Sequence, residues 1–188
     1  MEIILATESP RKIKAMKTLG LKFEIKPSNF DESLIHETDI RKLVEKLALE
    51  KAHLICKQNP GSIVIGADTL LSFQGKVLGK PKDLDEVREN LKKASGKVVD
   101  DFTGIAVVYR EKEKSTWLHG VAKLRVFGSA EIENYISNGN PMDKAGGFAA
   151  DPAEGGEFLE SYIGEPGQEL GLPTTTLKKF LVEFGVRL

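Results

Sequence analysis

The 188-residue chain sets 27 Lys and Arg against 28 Asp and Glu, with 40% hydrophobic and 29% charged residues, enough apolar material for one domain, or one domain with two lobes. A formal net charge of −1 provides no basic field to grip nucleic acid by its phosphates, so stable nucleic-acid binding is not expected. The single Cys56 excludes a disulfide framework or a four-cysteine site, and His36, His53 and His119 lack the spacing of a zinc motif, so any metal would be held by oxygen.

The opening Met1-Glu2-Ile3-Ile4-Leu5-Ala6 lacks the basic region of a signal peptide, and no apolar run approaches the roughly 18 residues of a membrane span, which points to a cytoplasmic protein. Residues 3–6 read as a buried strand. A helix follows, with Ser9 as N-cap, Pro10 in the first turn, Ile13, Met16 and Leu19 on its apolar face, and Gly20 at its end. Residues 39–57 form a second helix with Ile40, Leu43, Val44, Leu47, Leu54 and Ile55 on one stripe. Asn59-Pro60-Gly61 stops it. Residues 62–73 and 76–78 read as a hairpin turning at Gln74-Gly75, although Gly66-Ala67 interrupts the first apolar run. Asp83 caps a helix whose inward face is Leu84, Val87, Leu91 and Ala94. Residues 102–109 and 116–127 are β-rich and flank a charged tip, Arg110-Glu111-Lys112-Glu113-Lys114. Ser129 caps a helix ending at Gly139, residues 140–171 are loop or short strands, and a last helix begins near Pro173. This order gives an α/β or α+β fold with a mixed sheet and no linker separating two domains.

Several residues fall where chemistry is feasible. Ser9-Pro10-Arg11-Lys12 brings a hydroxyl, two cations and a helix N-terminus together, a site for phosphate unless Ser9 only caps and the cations are only solvated. Lys51 lies near the centre of the apolar stripe of its helix. Either its ammonium snorkels to a rim or it points into a polar cleft. On this reading Lys51→Met would keep the stem on the stripe and preserve or raise stability. Asp68 and Thr69 follow the apolar strand 62–67 at a position where open α/β sheets gather ligands, so Asp68 is a catalytic or metal-binding candidate. Extending the hairpin register would pair Thr69 with Lys80, but a strict pleat puts Asp68 on the opposite face from both. Gly79-Lys80-Pro81 is not a phosphate-binding Walker loop, and no nucleophile elbow or dinucleotide fingerprint is present. Glu32 with Asp68 would suffice for a hard cation such as Mg²⁺, which needs one or two carboxylates plus substrate phosphates.

Six segments in order, Ile4-Leu5-Ala6-Thr7-Glu8-Ser9-Pro10-Arg11-Lys12, Gly66-Ala67-Asp68-Thr69, Leu78-Gly79-Lys80-Pro81-Lys82-Asp83, Ser95-Gly96, Met142-Asp143-Lys144-Ala145-Gly146 and Gly171-Leu172-Pro173, resemble the Maf-like nucleoside triphosphate pyrophosphatases over nearly the whole chain. The resemblance implies one Maf-like domain over residues 1–188, with an elongated mixed α/β fold of the inosine-triphosphate-pyrophosphatase type and a cleft between two lobes. It also implies a divalent metal cation such as Mg²⁺ or Mn²⁺, and a homodimer. Carried over by motif, Asp68 is the proton acceptor or a metal ligand, and Glu32 helps hold the metal. Ser9, Arg11 and Lys12 touch the phosphates while Lys51 and Lys80 supply charge. Thr69, Lys144 and the segment after it, including Asp151, contribute to substrate binding and base selection.

Three positions depart from the family pattern. Lys12 stands for the second arginine of the usual Ser-Pro-Arg-Arg and loses its bidentate geometry. Val99 occupies the usual histidine position after Ser95-Gly96, though Thr103 remains. Asp151 stands where members acting on thymidine or uridine triphosphates often carry Gln; facing the base, an ionised carboxylate only accepts hydrogen bonds and favours the N–H-rich edges of guanine or cytosine, unless the following Pro152 turns it out to solvent and leaves selection to backbone groups. The implied reaction is attack of water on the α-phosphorus of a nucleoside triphosphate, releasing pyrophosphate. A non-catalytic nucleotide-binding regulator of cell division, acting through a protein partner, is the alternative.

Overall fold

The computed structural model describes residues 2–147 and 158–187. Its strands are β1 (Ile3–Leu5), β2 (Glu24–Ile25), β3 (Ile63–Phe73), β4 (Lys76–Leu78), β5 (Val98–Tyr109), β6 (Lys112–Leu124) and β7 (Leu159–Ile163). The helices are α1 (Pro10–Lys17), α2 (Ile40–Gln58), α3 (Leu84–Ala94), α4 (Ser129–Asn138) and α5 (Thr174–Glu183). The strands form one seven-stranded sheet in the order β2-β1-β3-β5-β6-β7, with β4 paired to β3. It is mixed, as expected: β1 runs parallel to β2 and β3, while β3–β4 and β6–β7 are antiparallel.

The chain divides into two compact units, residues 1–69, 102–118 and 165–188 in the first and 70–101 and 119–164 in the second. Three of the four divisions fall inside β3, β5 and β6 and the fourth just after β7, which is why no linker composition marks them. In the first unit Ile3, Leu5, Ile63, Ile65, Ile105 and Val107 pack with Met16, Leu177 and Leu181 of α1 and α5. Ile4, Val64, Ala106 and Val108, from alternate positions of the same strands, pack with Ala48, Ala52 and Ile55 of α2. These stretches of β1, β3 and β5 are therefore buried on both faces, which explains why residues 3–6, 63–65 and 105–108 read as apolar runs without alternation. The second unit has its own core of Val87, Leu91, Val99, Leu124, Phe127, Ile132, Tyr135 and Phe158.

Several local expectations change. Gly66 does not interrupt β3; a Cβ there would stand 2.0 Å from the Ala48 carbonyl oxygen, and one at Gly104 equally close to that of Val44. The two glycines let α2 lie directly on β3 and β5. The centre of the buried face of α2 is accordingly Ala48 and Ala52 instead of leucines. Residues 112–114 belong to β6, leaving only Arg110-Glu111 as the tip. Their charges are accommodated in the strand because Lys114 pairs with Glu183 at 2.5 Å and Glu113 with His53 at 2.8 Å. Leu84 is exposed, and the N-cap of α4 is Gly128, whose N–H donates to Glu131 at 3.0 Å.

The hairpin register is as expected, Leu71 opposite Leu78 and Phe73 opposite Lys76, with both Gln74 and Gly75 at positive φ (52° and 77°) as a type I′ turn requires. β4 ends at Leu78, so the ladder does not continue to Lys80. Asp39 and Asp83 cap their helices by accepting the N–H of Arg41 and Glu86. Ser9 occupies the N-cap position of α1, but its hydroxyl makes no capping bond.

Candidate active site

Three consecutive residues of β3 in the first unit each engage a different partner. The Ala67 carbonyl accepts from the Lys12 ammonium at 2.8 Å. The Asp68 carboxylate accepts from the Lys51 ammonium. The Thr69 hydroxyl lies 3.1 Å from that of Thr103. The pleat distributes these groups: Val64, Gly66 and Asp68 alternate toward α2, which carries Lys51, while Ile63, Ile65, Ala67 and Thr69 alternate toward the layer holding α1 and α5.

On the α2 side, Lys51 reaches two carboxylates. Its ammonium donates to Asp68 and also, at 2.8 Å, to Glu32. The Lys51 side chain is 13% exposed and that of Asp68 9%, against 55% for Glu32. Burial pulls the Lys51 pKa down, but the negative charges and hydrogen bonds of Asp68 and Glu32 outweigh it and hold the ammonium above the ordinary lysine value. Lys51 therefore points into a polar pocket of acids and does not snorkel. Asp31, the neighbour of Glu32, has a different task, capping the 3₁₀ turn Glu32–Leu34 by accepting from the Ser33 N–H and hydroxyl. The expectation for Lys51→Met is reversed as well. That change would strand the buried Asp68 carboxylate without its countercharge, a loss of about 3–5 kcal/mol.

On the other side, the α1 segment supplies Ser9, Arg11 and Lys12, all half-buried. Burial lowers the Lys12 pKa to about 8, with repulsion from Lys51 and Arg11 adding to it and attraction to Asp68 and Glu32 opposing it. The wall here is Gly171, in left-handed conformation at φ 79°; a Cβ on it would stand 2.9 Å from the Thr69 hydroxyl oxygen and 3.0 Å from Cε of Lys12. Its loop is pinned. The Glu165 carboxylate accepts from the Thr176 N–H and hydroxyl at 2.9 and 2.8 Å, and Gln168 Oε1 accepts from the Glu165 N–H at 3.1 Å.

Seven of the expected residues, Ser9, Arg11, Lys12, Glu32, Lys51, Asp68 and Thr69, thus lie in the first unit. Lys80 and Lys144 lie in the second. There the backbone joins their segments, the Gly146 N–H donating to the Gly79 carbonyl at 2.9 Å and Asn90 to the Gly146 carbonyl at 3.2 Å. Lys80 is exposed, whereas Lys144 is 5% exposed and its ammonium donates to the Asn140 carbonyl at 3.0 Å. Asp151 lies outside the described residues. Val99 is fully buried in the apolar core of the second unit. The Ala67 carbonyl and Gly171 were not anticipated as site components; the only sequence signal for Gly171 is its place in Gly171-Leu172-Pro173.

For a divalent cation the donor set is suitable but small. Glu32 and Asp68 present hard oxygens that already share one cation, the Lys51 ammonium, and two carboxylates are what Mg²⁺ takes when substrate phosphates complete its shell. Among the described residues no group of three or more His, Cys, Asp or Glu side chains is assembled.

A family model described as Maf-like protein matches residues 2–184. The chain belongs to the Maf-like protein family. It is 37% identical over 188 residues to a dTTP/UTP pyrophosphatase of Desulforamulus reducens, covering 99% of this chain and 98% of that protein. To a nucleoside triphosphate pyrophosphatase of a Synechococcus species it is 36% identical over 191 residues, covering 99% and 95%. Among solved structures it resembles a Ham1 protein of Staphylococcus aureus (TM-score 0.54, 16% identity, covering 97% of this chain and 99% of that one). A Ham1 protein of Coxiella burnetii gives 0.50 at 17% identity, covering 97% and 99%. At these identities the structural likeness speaks for the fold, and it agrees with the mixed α/β sheet expected for a Maf-like chain.

Proposed function

We propose that this Maf-like chain hydrolyses a nucleoside triphosphate to the monophosphate and pyrophosphate, as a single catalytic domain serving nucleotide-pool housekeeping. The observation that carries the reading is the Lys51–Asp68 pair, an acid and a cation withdrawn from solvent. It lies in a chain more than one third identical, over nearly its whole length, to proteins named dTTP/UTP pyrophosphatase and nucleoside triphosphate pyrophosphatase. Water attacks the α-phosphorus, the bond from that phosphorus to the bridging oxygen breaks, and pyrophosphate departs. Asp68 takes the proton of the attacking water. Arg11 and Lys12, with the Ser9 hydroxyl that the helix leaves unused, bind phosphate oxygens, and Lys51 adds positive charge as the leaving group gains negative charge. Thr69 sits against Lys12 through Gly171 and helps seat the substrate. Lys80, Lys144 and Asp151 carry the phosphate- and base-binding roles that family resemblance gives them. A divalent cation held by Glu32 and Asp68 would supply charge neutralisation and a more acidic water. A metal-bound carboxylate is a poor base, so Asp68 serves one task or the other in a given step.

No helix among the described residues is long and apolar enough to cross a membrane, which agrees with action on soluble nucleotides. A cytoplasmic location and a homodimer complete the proposal. Incubating the pure protein with each common nucleoside triphosphate and Mg²⁺ or Mn²⁺, and assaying pyrophosphate, tests it. Orthophosphate as the first product, or no turnover of any nucleotide, refutes it.

A further inference from the structure

The Lys51 ammonium stands between two carboxylates that come from different elements, Glu32 in a 3₁₀ turn and Asp68 in β3. These are the two oxygen ligands that a divalent cation would use, and one fixed positive charge already satisfies both. We propose that Lys51 acts as a built-in cation that closes this carboxylate pair in the nucleotide-free protein, so that the divalent ion is taken up only together with the triphosphate. The inference rests on the pyrophosphatase reading and concerns the order of binding at the same site.

The charge balance makes the case. Glu32, Asp68 and Lys51 together carry one net negative charge, and no third acidic, histidine or cysteine side chain joins them among the described residues. A hydrated Mg²⁺ or Mn²⁺ arriving alone must shed water and displace a hydrogen-bonded ammonium while gaining only two protein ligands. It must do so close to a second cation, the Lys12 ammonium, which is held 2.8 Å from the carbonyl of Ala67, the neighbour of Asp68 in β3. A triphosphate alters both sides of that exchange. Its oxygens complete the shell of the cation, and they offer the ammonium a new partner, so Lys51 moves from carboxylate to phosphate as the carboxylates pass to the metal.

The test measures Mn²⁺ binding by electron spin resonance on the nucleotide-free full-length protein, comparing wild type with Lys51→Met and, to retain polarity, Lys51→Gln. The expected result is at least tenfold tighter Mn²⁺ binding by both variants than by wild type, abolished when Glu32→Gln is added. Thermal unfolding provides a second readout: saturating Mn²⁺ should raise the melting temperature of the Lys51 variants by ~5 °C or more and that of nucleotide-free wild type by much less. A variant that folds only with Mn²⁺ gives the same answer. With α,β-methylene UTP or GTP present, wild type should bind Mn²⁺ more tightly than the nucleotide alone does. Nucleotide-free wild type binding Mn²⁺ as tightly as the Lys51 variants overturns the proposal. Pyrophosphate release by wild type in a parallel assay separates that failure from failure of the catalytic reading.

Discussion

Replacing Lys12 by arginine should move the alkaline limb of the pH profile. In the free protein burial, with help from Lys51 and Arg11, brings the Lys12 pKa down to about 8. It therefore carries its charge in roughly nine molecules of ten at pH 7 and in one of ten at pH 9. If that charge binds phosphate, kcat/KM, which reports the free enzyme, falls about tenfold per pH unit above pH 8. Meanwhile kcat, which reports the complex, stays level to higher pH because bound phosphate holds the proton. Lys12→Arg stays charged throughout and should lose this limb, though its absolute rate need not match. Stability carries the opposite sign. The folded pKa lies below the unfolded one, so the unfolded chain holds more protons between about pH 8 and 10.5 and wild-type stability rises with pH across that window. The gap between the two values corresponds to ~3 kcal/mol against the charged form at pH 7. Lys12→Met should recover ~2 kcal/mol of it after losing the bond to the Ala67 carbonyl, with the gain shrinking toward pH 10. Pyrophosphate release measured from pH 6.5 to 9.5, with urea unfolding at pH 7 and 10, checks both halves. An unchanged alkaline limb in Lys12→Arg refutes the reasoning.

Asp68→Asn keeps an acceptor for Lys51 and should fold, but turnover should fall at least ~100-fold; near wild-type turnover would transfer the role to Glu32. Gly171→Ala and Gly171→Asn should both lower kcat/KM by about tenfold or more, since either Cβ strikes Thr69 and Lys12. Because Asn tolerates a left-handed backbone, an Asn variant with wild-type kinetics would mean that strain, not contact, explains the alanine effect. Asp151→Gln should shift the kcat/KM ranking toward uridine or thymidine triphosphates, and an unchanged ranking would remove Asp151 from base selection.

What the sequence disclosed was local. Asp83 announced its helix because a short acid before an apolar stripe has one common use, and Gln74-Gly75 determined the β3–β4 register because a two-residue turn fixes which flanking residues face each other. Lys51 was visible as an anomaly, a cation on an apolar stripe, but its acceptors were not. Glu32 lies in a turn and Asp68 in a strand, and no spacing rule links either to a helix residue. Gly66 was misread for the same reason: its necessity comes from Ala48, on a helix packed across the strand. Lys112 to Lys114 looked like a loop because their partners, Glu183 and His53, come from distant segments. The catalytic assignment came from motif order, which pairs distant residues as spacing within one element cannot.

The central claim is attack at the α-phosphorus, and hydrolysis in ¹⁸O-water tests it most directly. With the preferred nucleoside triphosphate and Mg²⁺, phosphorus NMR of the products should find one ¹⁸O in the nucleoside monophosphate and none in pyrophosphate. Label in pyrophosphate, or labelled orthophosphate formed first, would contradict the account.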